Sequence, residues 1–81
     1  MDKTLYSPEH EIFLDLLRKI RVDADLRQDD VAERLDKPQS FVSKYESGER
    51  RLDVLELREI CAALDTTLAR FVAELERKIS K

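Results

Sequence analysis

The sequence predicts an all-α domain of five helices, and three observations carry that prediction. Five stretches place apolar residues three and four apart, no stretch alternates apolar with polar residues as a half-buried strand does, and the breaks between stretches hold residues that cap or stop helices. Composition agrees. Of 81 residues, 42% are hydrophobic and 41% charged, with one glycine and two prolines, too apolar for a disordered chain and too poor in turn residues for a loop-rich one. A chain of this length builds one core, so a single domain is expected over residues 8–81 behind an N-terminal arm, 1–7.

The stretch "SPEHEIFLDLLRKIRV" offers Ser7 as a cap and Pro8 at the first helical position, where its fixed φ fits and its missing N–H is not needed. Ile12, Phe13, Leu16, Leu17 and Ile20 then share one face of a first helix over about 8–23. "QDDVAERLD" gives a short second helix, about 28–36, with Val31, Ala32 and Leu35 on one side and acidic residues in the first turn, where the helix dipole favours them. Pro38 is expected to open a third helix running to about 46. At 100° per residue Phe41, Val42 and Tyr45 fall on one side of it and Ser40, Ser43, Lys44 and Ser47 on the other.

Gly48 stands where a helix end needs a left-handed residue. Asp53 caps a fourth helix, with Glu56 three residues on completing a capping box and an apolar face of Val54, Leu57, Ile60, Cys61 and Leu64. The fifth helix is expected over 67–80, with Leu68, Phe71, Val72, Leu75 and Ile79 in one stripe. Only Asp36 and Lys37 separate the second and third helices. That is too little for side-by-side packing, so the two should cross steeply as a helix-turn-helix.

In order and at the same spacing, "QDDVAERL", "PQSFVSKYESGERRLD" and the following "ALDTTL" resemble the lambda-repressor-like, or Xre-type, DNA-binding family, over about residues 12–72. The resemblance implies that the third helix enters the major groove of double-stranded DNA while the second crosses the backbone. It implies base contacts from Gln39, Ser40, Ser43 and Lys44, with Gln39 able to bond adenine bidentately. Phosphate contacts are implied for Gln28 at the start of the second helix and for Lys37, Arg50 and Arg51 flanking the third. Arg21 and Glu46 match a pair that in the family ties the first helix to the end of the third. Asp25 and Asp36 stand where the family commonly has glycine, and Arg27 where it commonly has a capping Ser or Thr.

The expected function is a sequence-specific transcriptional regulator, a repressor that occludes a promoter; the alternative is an antitoxin or similar module that neutralises a partner protein. A net charge of −3 speaks against coating nucleic acid through bulk charge, but not against a local basic face, because screening confines electrostatics to about 8 Å. A lone cysteine, Cys61, leaves no internal disulfide and suggests a reduced, cytoplasmic setting; it falls among core positions and reads as a small buried hydrophobe. His10 has no neighbour at metal-ligand spacing and is expected to be exposed. No metal, cofactor or membrane is expected, and no nucleophile elbow or glycine-rich phosphate loop suggests an enzyme.

A homodimer follows from energetics. One short recognition helix reads only a few base pairs, at about 1–3 kcal/mol per correct contact, too little to select one site in a genome. A second copy would supply the rest. The fifth-helix stripe of Leu68, Phe71, Val72, Leu75 and Ile79 is the expected interface: Leu68, Phe71 and Val72 can also close the monomer core, Leu75 and Ile79 extend beyond it, and the operator is expected to be an approximate palindrome.

Overall fold

Every helix leaves its first N–H groups and last carbonyls without intrahelical partners, and in this chain the residues that satisfy them set where each helix starts and stops. A computed structural model describes residues 7–80, so the arm expected over 1–7 lies, apart from Ser7, outside the described residues. The elements are α1 (Pro8–Asp23), α2 (Gln28–Leu35), α3 (Gln39–Ser47), α4 (Val54–Ala63) and α5 (Leu68–Ile79). Among the described residues there is no strand.

Three N-termini are closed by side-chain oxygens. Ser7 Oγ accepts the His10 N–H at 3.1 Å and Thr67 Oγ1 accepts the Arg70 N–H at 3.1 Å. Asp53 accepts from the Glu56 N–H at 2.7 Å while Glu56 accepts from the Asp53 N–H at 3.0 Å, a complete capping box. Arg27, which caps α2, has no side-chain acceptor to offer. Only the return half of a box forms there, with Asp30 Oδ2 accepting the Arg27 N–H at 2.8 Å. Pro38 is a correction to the sequence reading: its ψ of 156° keeps it extended, so it is the cap of α3 and not its first helical residue. Its carbonyl accepts the Phe41 N–H at 3.0 Å.

Three of the C-termini share one device. Asp25, Asp36 and Asp65 take left-handed backbone angles, with φ of 61°, 58° and 63°. After each, the next N–H folds back to a carbonyl five residues earlier: Leu26 to Arg21 at 3.1 Å, Lys37 to Ala32 at 3.0 Å and Thr66 to Cys61 at 2.9 Å. These are Schellman closures built with aspartate where glycine is the usual occupant. Gly48, at φ 86°, is the one glycine and ends α3. The Asp36 stop shortens α2 to Leu35 and leaves only Asp36, Lys37 and Pro38 before α3, which holds the two helices in a tight turn.

The core is made where the helices cross. α1 packs on α3 and α5, α2 on α3 and α4, and α4 on α5. Leu17, Val31, Val42, Tyr45, Ile60 and Cys61 are buried at this centre, drawn from four different helices. Neither α2 nor α3 is long enough to be stable alone in water, so each depends on that shared burial. Burial also pushes the Cys61 thiol up to about 11, which keeps it protonated and inert at neutral pH.

Four sequence expectations need correcting. Leu14 is buried although it was not placed on the apolar face of α1. Val54 is 61% exposed, because as the first residue of α4 it projects past the end of the core. Phe71, expected both to close the monomer core and to line a dimer interface, does only the first: it is 1% exposed, α5 lies across α1, and its ring meets Phe13 edge-on at 5.7 Å. His10 is half-buried, its ring 5.7 Å from that of Phe13; this burial, and then the nearby Arg51 charge, hold its pKa below the ordinary value.

The aspartate stops give a direct stability prediction. A negative charge at a helix C-terminus opposes the helix dipole, and asparagine keeps the left-handed preference without that charge. Asp25→Asn and Asp36→Asn should each stabilise the fold by roughly 0.3–1 kcal/mol in urea titrations, whereas Asp29→Asn, in the first turn of α2, should destabilise it by a similar amount.

Candidate nucleic-acid interface

The polar face of α3 is oriented from beneath by one buried carboxylate. Glu46 lies at the edge of the apolar side of α3, and its side chain is 6% exposed. An ionised carboxylate in such a place must find donors. Arg21 of α1 supplies two in a fork: Nε donates to Oε2 at 2.7 Å and Nη2 to Oε1 at 3.0 Å. Gln28, at the start of α2, supplies a third through Nε2 to Oε1 at 3.0 Å. The Arg21 side chain is 12% exposed, and its remaining nitrogen, Nη1, donates to the Leu26 carbonyl at 3.0 Å. Three helices therefore converge on one charged group, and the loop that joins α1 to α2 is tied to the same arginine.

The chain of bonds continues outward to the reading face. Gln28 Oε1 accepts from Gln39 Nε2 at 2.6 Å. With Gln28 Nε2 donating to Glu46 and Gln28 Oε1 accepting from Gln39, the exposed Gln39 keeps its own Oε1 and its second amide N–H unbonded among the described residues. The exposed Gln39 is thus orientated by a buried ion pair two residues removed in the bonding network. Ser40 and Lys44 are exposed beside it and Ser43 is half-buried. The Ser47 hydroxyl turns back, donating to the Lys44 carbonyl at 3.0 Å.

The basic flanks are not equivalent. Lys37 and Arg51 are exposed. Lys37 Nζ stands 5.5 Å from the centre of the Phe41 ring, close enough for a cation–π contact that leaves the ammonium available. Arg50, by contrast, is engaged within the chain. Its guanidinium lies 4.8 Å from the centre of the same ring and forks onto Glu56, with Nη1 to Oε1 at 3.1 Å and Nη2 to Oε2 at 2.8 Å. Arg50, expected to hold a phosphate, therefore has its charge matched within the fold by Glu56. The Arg50 hydrogen bonds, then the capping bond from Asp53, hold the Glu56 carboxyl down at about 2.

Two features of this surface are absent from the sequence reading. Glu56 entered it only as a capping residue, since nothing in the spacing of Arg50 and Glu56 across a loop marks them as partners. Arg34 of α2 was not singled out either, yet its Nη1 donates to the Ala63 carbonyl at 2.7 Å and to Asp65 at 3.2 Å, fastening α2 to the end of α4. Among the described residues no cluster of acidic, His and Cys side chains has the grouping of a metal site, and no helix is long and apolar enough to cross a membrane.

Comparison with known proteins places this geometry among relatives. The helix-turn-helix family model matches residues 17–71. The chain is 30% identical over 63 residues to "Control protein C.MunI" from Mycoplasma sp, an alignment that spans 76% of this chain and 85% of that one. Among solved structures it is similar to an XRE-family like protein from Pseudomonas syringae pv. tomato str. DC3000, at 41% identity and a TM-score of 0.85, covering 94% of this chain and 93% of the other. It is also similar to a point mutant of the restriction-modification controller protein C.Esp1396I, at 25% identity and a TM-score of 0.82, covering 93% and 95%.

The buried fork and an exposed pair should respond differently to truncation. Arg21→Ala strands Glu46 in a desolvated place and should cost towards ~3–5 kcal/mol, whereas Lys19→Ala, which breaks an exposed pair with Asp23, should cost less than ~1 kcal/mol. Urea unfolding of both variants measures the difference, and equal losses would show that Glu46 finds other donors.

Proposed function

The chain belongs to the helix-turn-helix family, and from that membership we propose a sequence-specific, DNA-binding transcriptional regulator that reads its site with α3 and represses by occupying it. The observation that carries the proposal is the bonded series from Arg21 through Glu46 and Gln28 to Gln39. It orients an exposed amide at the leading end of α3, where a rigid donor and acceptor pair can match a base edge. A solvated face without a reading role has no need of such support. Two relatives are named for control, one of them for control of restriction-modification, which supports a regulatory role over an enzymatic one.

In this reading Gln39, Ser40, Ser43 and Lys44 address bases. Lys37 and Arg51 hold phosphates, as does Gln28 with the free N–H groups at the start of α2. A net charge of −3 does not prevent this, because screening leaves the local charge of the α3 flanks to act at short range.

Two copies acting together supply the discrimination that one short helix lacks. On α5, Phe71 is interior and Leu68 and Leu75 pack against the core, while Val72 is 41% exposed and Ile79, two turns on, is half-buried. Val72 and Ile79 are the residues of that stripe best placed to meet a second copy, with the two α3 helices about 34 Å apart, one turn of duplex.

Two measurements test these assignments. Gln39→Ala should weaken binding to the preferred site by about 1–3 kcal/mol with little change on random duplex, whereas Arg51→Ala should weaken both alike and flatten the salt dependence by about one ion. Equal losses on both duplexes for Gln39→Ala would remove its role as a base reader. In sedimentation, the wild type should be dimeric at micromolar concentration and Val72→Glu monomeric with an unchanged helical spectrum; a monomeric wild type, with and without a palindromic duplex, overturns the dimer.

A further inference from the structure

Arg50 stands at the end of the reading helix with its charge already matched. Its main-chain N–H is bonded to the Lys44 carbonyl at 3.1 Å, which fixes the loop just after α3. The Phe41 ring lies under the guanidinium, and Nη1 also donates to the Arg51 carbonyl at 2.9 Å. Glu56 approaches the outer edge and takes both terminal nitrogens. This is the arrangement in which a planar guanidinium binds a phosphate, because carboxylate and phosphate present two oxygens at matching separation. Both side chains are partly open to solvent, 40% for Arg50 and 28% for Glu56, so a DNA backbone brought against α3 can reach the same nitrogens.

We propose that Glu56 is an internal phosphate surrogate that restrains DNA attachment: it occupies the Arg50 fork in the free protein and is displaced, wholly or in part, when a backbone phosphate docks. The proposal rests on the DNA-binding reading above and adds a positioning residue outside the helix-turn-helix pair. Affinity is lowered, since each duplex must compete with a carboxylate tethered at short range. Attachment through phosphates is weakened alike on every sequence while base contacts are untouched, so the restraint sets how tightly the protein holds DNA and leaves the ratio between correct and random sites unchanged. Lys37, above the same Phe41 ring, remains free to make the first contact. The low Glu56 pKa keeps the surrogate charged through mildly acidic solution.

Glu56→Gln tests this without dismantling α4, since glutamine can still accept the Asp53 N–H in a capping box. On random duplex the variant should bind about 3–10-fold more tightly than wild type, and its salt dependence should steepen by about one ion. Loss of one negative charge would strengthen binding through simple repulsion as well, so the same substitution is made in an Arg50→Gln background, where the gain should fall below about twofold. A gain of equal size in that background overturns the proposal, as does unchanged or weaker binding by Glu56→Gln alone. If Glu56→Gln fails to fold, the wild-type Arg50 Nε resonance decides: it should shift on addition of duplex, and a resonance that stays in place shows that Glu56 keeps its partner. If no duplex is bound by wild type or variant, the DNA-binding reading falls, and this proposal with it.

Discussion

Glu46 is a carboxylate placed where water hardly reaches, and the arrangement of the first three helices follows from what that requires. Leaving it unpaired would cost several kcal/mol, and satisfying it takes donors from directions that one neighbour cannot supply. Arg21 fills two and Gln28 a third. Each donor belongs to a different helix, so the demand of one charge sets the mutual placement of α1, α2 and α3. Apolar packing under Val42 and Tyr45 brings the helices together, but it is tolerant of small slides. The ionic fork is not, because its geometry is lost within a fraction of an ångström.

That intolerance is what a reading head needs. Discrimination between bases depends on donors and acceptors being held within about half an ångström of their target, and a side chain at the surface of a short helix is normally free to rotate. Here the rotation of Gln39 is checked by Gln28, itself checked by Glu46. At the other end of α3, Gly48 and the Arg50 N–H close the helix, while Phe41 carries two cations on its ring. The basic residues are arranged in depth: Arg51 and Lys37 reach solvent, and Arg50 is held against Glu56.

Most of the fold was legible because its signals are local. Caps at Ser7 and Asp53, the stop at Gly48 and the three-and-four spacing of apolar residues each depend on a few neighbouring positions, and all five helices lie within a residue or two of where those signals place them. What escaped depends on three dimensions. Val54 satisfies the periodicity of α4 yet projects past the core, and Phe71 satisfies a surface stripe yet is covered by α1. The pairing of Arg50 with Glu56 crosses a loop whose path no pattern specifies. Aspartate as a left-handed stop was visible only as a departure from glycine at Asp25 and Asp36, and Asp65 shows it to be a repeated habit of the chain.

The bond between Gln28 and Gln39 also constrains how this protein can change over generations. A new side chain at position 39 does more than alter which base is preferred; it leaves the Gln28 carbonyl oxygen to water and loosens the first turn of α2 along with the leading end of α3. Drift in target preference through that position is thus coupled to drift in the order of the scaffold, and a tolerated change calls for a compensating partner at position 28. Ser40 and Lys44 carry no such obligation, since neither side chain is bonded within the described residues. Divergent copies of this chain should therefore wander first at 40 and 44, and exchange 28 and 39 as a pair.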